Sequence, residues 1–356
     1  MNPTFSRLMA DATRLTRAGS LRAATDAIRR ALGGASAASP RPEAAAAGEA
    51  GDVIDVPARE IPEHSADEAR TPPPPPAAGQ FITGSHTDAN GTRAYKLYIP
   101  PGHSGQPLPL VVMLHGCTQD PDDFAAGTGM NDAALERGFY VLYPAQNQHA
   151  NAQRCWNWFK HNHQGRGRGE PALLAGMTRE VMARHAIDPQ RVYVAGLSAG
   201  GAMAAILGNA YPDLFAAVGV HSGLATGAAN DLPSAFAAMQ GGASGTATAH
   251  TPPTIVFHGD ADSTVHPSNG QHVIAATARN AVAQAERARS ENGREYTRQT
   301  FRDRAGRVLA EHWAVHGAGH AWSGGSARGS YTDVQGPDAT DEMLRFFFAN
   351  TLHAPR

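Results

Sequence analysis

The chain has 356 residues, a formal net charge of -2 at pH 7 and 42% hydrophobic residues. Nucleic-acid binding depends on an excess of basic residues, which this near-neutral chain lacks. The sequence has no uninterrupted run of about 18 apolar residues, so we expect no transmembrane helix. Two cysteines are too few for a disulfide-rich scaffold or a four-cysteine zinc site.

The first predicted element is an amphipathic helical segment over residues 1–32, with a turn at Gly19 and Ser20. It carries six arginines against two aspartates, and it lacks the apolar core and cleavage site of a secretory signal. We interpret it as a helix that is packed on the body of the protein or loosely tethered to it. The alternatives are a docking element for a membrane, a polymer granule or a partner, and a targeting peptide.

Residues 33–78 are predicted to be a disordered linker rich in alanine and proline. Eight acidic residues stand against three arginines, and large apolar residues are too few to offset the entropy of ordering. The linker ends in the run Pro72 to Pro76, which favours an extended polyproline II spacer.

From residue 79 to residue 356 the pattern predicts one catalytic domain of the α/β class. Antiparallel strands lead in, and short apolar strands then alternate with helices, which is typical of a mostly parallel sheet with helices on both faces. The predicted strands include residues 110–114, 140–143, 191–195, 216–220, 255–257, 297–301 and 309–315. The predicted helices are residues 131–137, 173–185, 202–211, 271–289 and 339–352.

The motif that indicates chemistry is a G-x-S-x-G sequence, residues 196–200, between an apolar strand and a helix rich in small residues. This context is that of a nucleophile elbow, in which the flanking glycines permit a sharp turn and expose the serine hydroxyl. We therefore predict Ser198 as a nucleophile. The alternative is a strand-to-helix turn with an idle serine.

A serine nucleophile needs a base that an acid orients, and in this kind of fold both follow the serine along the chain. Asp260 and Asp262 both follow the strand at 255–257, and we favour Asp262 as the acid because it lies deeper in the loop. His320 lies in a glycine-rich loop after the last strand, and we favour it as the base over His316. We interpret His258 as structural.

Stabilising the oxyanion requires two N–H donors. We predict the backbone N–H groups of Ala199, which follows the nucleophile, and of Cys117, which follows Gly116 at the end of the strand at 110–114. Cys117 and Cys155 both fall in loops at the predicted active edge, and we predict a disulfide between them. The alternative is two free thiols in a reducing compartment.

Aromatic residues also cluster near this predicted site. Their rings are suited to a cleft for an apolar ester chain, although they are equally compatible with an ordinary core. The residues we expect to bind substrate are Trp156, Trp158, Phe159 and Trp322. His161 and His163 have no acidic or cysteine cluster nearby, so we expect no metal site and no organic cofactor.

Five motifs in order resemble the poly(3-hydroxybutyrate) depolymerase family of esterases: residues 114–119, 155–159, 196–201, 258–262 and 319–325. The resemblance covers roughly residues 80 to 350. It implies an α/β-hydrolase fold and hydrolysis of short-chain polyhydroxyalkanoate or related esters. It also implies the roles given above to Ser198, Asp262, His320 and Cys117.

The resemblance leaves the substrate open, because related esterases remove feruloyl or acetyl groups from plant polysaccharides. We expect a serine ester hydrolase that acts on short-chain polyhydroxyalkanoate, such as poly(3-hydroxybutyrate), with a feruloyl or acetylxylan esterase as the alternative. A granule-associated interaction protein with secondary esterase activity is the third hypothesis. The family is commonly secreted, but we see neither a signal peptide nor an appended substrate-binding domain. An extracellular location and a cytoplasmic or granule-associated one therefore both stay open.

Overall fold

The structure is a computed structural model that describes residues 78–102, 105–246, 251–279 and 281–352. The segment predicted at 1–32 and the linker predicted at 33–78 lie outside these residues, apart from residue 78. Within the described ranges, no helix combines the length and the apolar character needed to cross a membrane.

Ten strands form one mixed sheet, and two very short strands form a separate parallel pair. The strands are β1 (Gln80–Asp88), β2 (Gly91–Ile99), β3 (Leu108–Leu114), β4 (Tyr140–Pro144), β5 (Ile187–Leu197), β6 (Ala217–His221), β7 (Thr254–Gly259), β8 (Val282–Arg289), β9 (Glu295–Arg302), β10 (Val308–Val315), β11 (Trp322–Ser323) and β12 (Thr332–Asp333). The order across the large sheet is β1-β2-β4-β3-β5-β6-β7-β10-β9-β8.

The six central strands, from β4 across to β10, pair in parallel. The two strands at each edge are antiparallel to their neighbours. This arrangement confirms the predicted parallel sheet with antiparallel strands leading in. Parallel central strands bury both faces, which explains why β3 reads as a continuous apolar run.

Helices cover both faces of the sheet. They are α1 (Pro121–Thr128), α2 (Met130–Arg137), α3 (Gly169–Arg184), α4 (Ala199–Ala210), α5 (Leu232–Gly241), α6 (Ser268–Thr277) and α7 (Ala339–Phe348). Val112 and Leu114 of β3 belong to a core layer that also contains side chains of α3 to α6. Val111 and Met113 point the other way, into a second layer with side chains of α1, α2 and α7.

The predicted helix over 271–289 is wrong in its second half. The helix α6 ends at Thr277, and residues 282–289 form the edge strand β8, which pairs antiparallel with β9. Cross-strand ion pairs join Arg287 and Arg289 to Glu295. Alanine, glutamate and arginine favour a helix locally, but pairing with β9 overrides this weak preference.

Candidate active site

Ser198 lies in a strained turn between β5 and α4. Its backbone has φ 58° and ψ -118°, a region that residues other than glycine rarely adopt. Two glycines permit the turn: a Cβ on Gly200 would lie 2.0 Å from the carbonyl oxygen of Leu114, and one on Gly196 would lie 2.4 Å from Gly200. The spacing of this motif is therefore a steric requirement.

Asp262 and His320 form a close hydrogen bond at the same edge of the sheet. His320 Nδ1 lies 2.7 Å from Asp262 Oδ2, while Asp262 Oδ1 accepts the N–H groups of Thr264 and Val265 at 2.9 and 2.8 Å. Burial would raise the pKa of Asp262, but hydrogen bonds from His258 and His320 outweigh it and hold that pKa well below its usual range. The carboxylate is therefore charged and fixes the ring of His320 with Nε2 directed away from it.

The competing pair, Asp260 and His316, is bonded differently. His316 Nδ1 lies 2.8 Å from Asp260 Oδ2, and its Nε2 lies 2.8 Å from the hydroxyl of Thr297. Both ring nitrogens are thus engaged by neighbours in the sheet and its loops. Asp260 also accepts the backbone N–H of Gly317 at 2.6 Å, so it braces the loop that precedes His320.

The loop after β3 lies beside the serine, because a Cβ on Gly116 would lie 3.7 Å from Ser198 Cβ. The N–H of Gly116 donates to Gln119 Oε1 at 2.9 Å, whereas the N–H of Cys117 has no acceptor among the described residues. Ala199 is the first residue of α4, and the first N–H groups of a helix have no partner within it. Both N–H groups therefore belong to segments beside Ser198, which keeps them as candidate oxyanion donors.

A disulfide joins Cys117 to Cys155, with the two residues 38 positions apart in the chain. It ties the candidate oxyanion loop to the segment after β4, and the N–H of Thr118 adds a bond to Gln153 O at 2.6 Å. The indole N–H of Trp156 donates to His115 O at 3.1 Å, just before the same loop. The predicted disulfide is therefore present in the structure.

A buried acidic residue that the sequence analysis did not identify supports this segment. Glu170 of α3 is 3% exposed, and it accepts hydrogen bonds from the backbone and side chain of Asn157 at 2.7 and 2.8 Å. Its Oε1 also accepts from Gln146, whose backbone N–H donates to His115 Nε2 at 3.1 Å. Burial lowers the pKa of His115 to about 4, so its ring is neutral and able to accept.

The aromatic residues expected to bind substrate are mostly in the core. Trp156 is 0% exposed and Trp322 is 1% exposed, with the Trp322 indole N–H bound to the hydroxyl of Thr340. A fully buried ring offers no surface to a substrate, so we correct the expectation for these two. Trp158 is also buried, at 5% exposure, and its ring packs edge-on against the half-buried Phe159. Of the four residues, Phe159 alone therefore stays a candidate for contact with substrate.

Tyr331, which the sequence analysis did not identify, is an exposed aromatic residue near the candidate site. It is 47% exposed, its backbone φ is 52°, and its hydroxyl lies 3.4 Å from that of Thr118, the neighbour of Cys117. Gln119 links the same two loops by donating to Ser330 O at 3.2 Å. Residues with a positive φ other than glycine cluster at functional sites, so Tyr331 is a candidate for contact with substrate.

No cluster of three or more histidine, cysteine or acidic side chains suited to a metal ion occurs in the part of the chain that the structure describes. His161 and His163 lie in a single 3₁₀ turn, His161–His163. His163 Nδ1 lies 3.5 Å from the buried carboxylate of Glu170, which gives this histidine a structural neighbour.

The sequence profile of the family described as Esterase PHB depolymerase matches residues 93–299, which is more than half of the chain. The chain belongs to this family. Poly(3-hydroxyalkanoate) depolymerase C of Paucimonas lemoignei is 36% identical over 187 residues, covering 48% of this chain and 45% of the relative. The predicted resemblance is therefore confirmed for the family.

Other proteins that this chain resembles are named as esterases of plant polysaccharides. Acetylxylan esterase A of Talaromyces purpureogenus is 28% identical over 218 residues, covering 53% of this chain and 54% of that protein. The solved acetyl xylan esterase from Aspergillus awamori superposes with a TM-score of 0.60 at 18% identity, covering 75% of this chain and 99% of that one. This similarity confirms the α/β-hydrolase fold. The chain spans about half the length of the first curated relatives it matches.

Proposed function

We propose that this protein is a serine hydrolase of carboxylic esters, with Ser198 as nucleophile, His320 as general base and Asp262 as the orienting acid. One observation carries the proposal. A serine in a strained, glycine-dependent turn shares the carboxyl edge of the central parallel strands with a buried aspartate that is 2.7 Å from a histidine nitrogen. Membership of an esterase family supports the same conclusion.

In this mechanism, His320 Nε2 takes the proton of the Ser198 hydroxyl as the oxygen attacks the ester carbonyl. Asp262 holds the opposite ring nitrogen and stabilises the imidazolium that forms. The N–H groups of Cys117 and Ala199 donate to the tetrahedral oxyanion. The alcohol leaves with a proton from His320, and a water molecule activated by the same ring then releases the acyl group from the serine.

For the substrate we propose short-chain polyhydroxyalkanoate esters, because a depolymerase of this class is 36% identical over the matched region. The second candidate is an acyl ester of a plant polysaccharide. It is favoured by matches to acetylxylan esterase A and to a feruloyl esterase B of Thermothelomyces thermophilus, which is 31% identical over 198 residues.

A substrate panel tests both levels of this proposal. Purified protein is assayed on p-nitrophenyl acetate and butyrate, amorphous poly(3-hydroxybutyrate), acetylated xylan and a feruloylated arabinoxylan. Ser198→Ala should lower kcat by several orders of magnitude, and Ser85→Ala, at an exposed position on edge strand β1, should leave it unchanged. Near-normal hydrolysis by Ser198→Ala would refute the mechanism, whereas activity on xylan esters alone would replace the substrate.

We also propose that residues 1–32 dock the enzyme on an apolar polymer surface, since their sequence repeats apolar residues at helical spacing and contains six arginines. Deleting residues 1–78 should abolish co-sedimentation with polymer granules and leave hydrolysis of soluble esters intact. Unchanged co-sedimentation would contradict this role. The disulfide further supports an oxidising compartment, such as the extracellular space, because cytosolic proteins rarely keep disulfides.

A further inference from the structure

A buried histidine that the proposed mechanism does not use lies between the segments carrying the candidate triad. His221 ends β6, which is the strand between β5 and β7, and it is 1% exposed. Its neighbours in the sheet therefore lead to Ser198 on one side and to Asp262 on the other. A buried polar ring at such a position requires specific partners.

The backbone of His221 binds the nucleophile turn. The N–H of Ser198 donates to the carbonyl oxygen of His221 at 2.8 Å, directly at the strained residue. The next residue, Ser222, has a φ of 47° and donates its N–H to Phe257 O at 2.8 Å. The end of β6 thus fixes the turn on one side and β7 on the other.

The ring of His221 binds the loop that carries His320. The N–H of Ser323, three residues after His320, donates to His221 Nε2 at 2.9 Å, and this bond is buried. The same ring stacks on Trp322 at 5.0 Å and on Phe257 at 5.7 Å between centroids. One side chain therefore contacts both the histidine loop and the strand that leads to Asp262.

The ring can accept this bond only while it is neutral at Nε2. Burial, then the neighbouring rings of His258 and His320, lower the pKa of His221 well below its usual range. The proton of the neutral ring therefore resides on Nδ1, which lies 3.3 Å from the hydroxyl of Ser222. This tautomer leaves Nε2 as a permanent acceptor for the backbone of the histidine loop.

We propose that His221 is a positioning residue, which fixes the distance between the Ser198 turn and the His320 loop through one backbone bond and one ring bond. The inference rests on the proposed function. Small displacements of reacting groups cost large factors in rate, so loss of the ring bond should appear in kcat. Binding of the ester need not change, because His221 is buried behind the residues proposed to react.

The test compares acceptor-retaining and acceptor-lacking side chains at this position. In His221→Gln, Oε1 can take the place of Nε2, whereas the shorter His221→Asn cannot reach the Ser323 N–H and His221→Phe keeps the stacked ring without an acceptor. We expect kcat on a soluble p-nitrophenyl ester to fall by about tenfold or more in the Asn and Phe variants, with KM within about threefold. The Gln variant should recover most of the lost kcat.

A matched control separates positioning from general loss of stability. Trp313→Phe alters a buried ring that stacks on the same Phe257 at 5.1 Å and makes no hydrogen bond to the triad loops. It should lower the unfolding midpoint and leave kcat within about twofold. All variants are assayed at temperatures well below their measured unfolding midpoints. If one of the two variants without an acceptor, His221→Asn or His221→Phe, does not fold, the other is sufficient for the test.

The outcomes distinguish this inference from the proposed function. Wild-type protein inactive on every ester, or Ser198→Ala as active as wild type, would overturn the proposed function and this inference with it. Wild-type activity abolished by Ser198→Ala, together with folded Asn or Phe variants that keep full kcat, would overturn the positioning role alone. Equal losses of kcat in the Gln, Asn and Phe variants would also overturn it, since they would show no dependence on the acceptor.

Discussion

Removal of the disulfide is the perturbation with the most direct structural magnitude. The bond closes a chain segment between residues 38 positions apart, and in the chain-entropy account a loop of this length stabilises the fold by about 4 kcal/mol at 25 °C. Dividing this free energy by the unfolding entropy expected for roughly 270 described residues gives a decrease in Tm of about 7 °C. The double variant Cys117→Ala, Cys155→Ala tests it.

The disulfide also restrains a candidate catalytic group, so activity should change together with stability. The Cys117 N–H survives the substitution, but its loop loses the covalent link to residue 155. Complete loss of an oxyanion donor costs about 10² to 10³ in kcat, and we expect a smaller decrease of about tenfold from a loosened one. KM should change little, because the donor acts mainly on the transition state.

The assay is urea unfolding followed by tryptophan fluorescence, with and without a phosphine reductant, combined with ester hydrolysis at 25 °C. The reductant should destabilise the wild-type protein and leave the double variant unchanged, which serves as the control for non-specific effects. If the double variant had the same free energy of unfolding as the oxidised wild-type protein, the reasoning about loop closure would be refuted. Normal kcat in a destabilised double variant would refute only the link between the disulfide and the oxyanion loop.

Three further predictions concern buried histidines, the nucleophile turn and an exposed ring. Burial lowers the pKa of His115 and of His312 to about 4, so the unfolded chain binds protons between about pH 6.5 and 4 that the folded chain does not. The free energy of unfolding should therefore decrease by about 2 kcal/mol per histidine from pH 7 to 5. In urea titrations, His312→Leu should show a pH-dependent decrease that is smaller than that of the wild type by about 2 kcal/mol. A decrease in the variant as large as in the wild type would contradict the assignment. Gly200→Ala should lower the free energy of unfolding by about 3 kcal/mol or more and abolish hydrolysis. The control Gly241→Ala should change neither, because a Cβ at Gly241 meets no atom within 4 Å. A Gly200→Ala variant that is stable and active would contradict the steric account. Tyr331→Ala should raise KM for aromatic or long-chain esters by about threefold to tenfold and Tyr331→Phe should not, as initial-rate kinetics would reveal; unchanged KM in the alanine variant would exclude this ring from substrate binding.

Local backbone chemistry made part of the site predictable from the sequence. The two glycines around Ser198 are spaced for a turn that larger residues sterically forbid, and the motif lies between an apolar strand and a helix of small residues. Strand ends in a parallel sheet converge on one edge, so Asp262 and His320 could be assigned to that edge from their positions after strands. The first inference rests on a recognisable sequence pattern, although part of its steric cause, the approach of Gly200 to Leu114 of β3, is a long-range contact. The second rests on a general rule of sheet topology.

The tertiary structure decided what local pattern leaves open. Burial of Trp156 and Trp322 depends on which side of the sheet each ring packs, and residues 282–289 form a strand only because β9 lies beside them. The positions of Glu170 and His221 behind the site likewise depend on partners far away in the chain. Such contacts join segments whose proximity is set by strand order across the sheet, and strand order is a property of the whole chain, which no short stretch of sequence encodes.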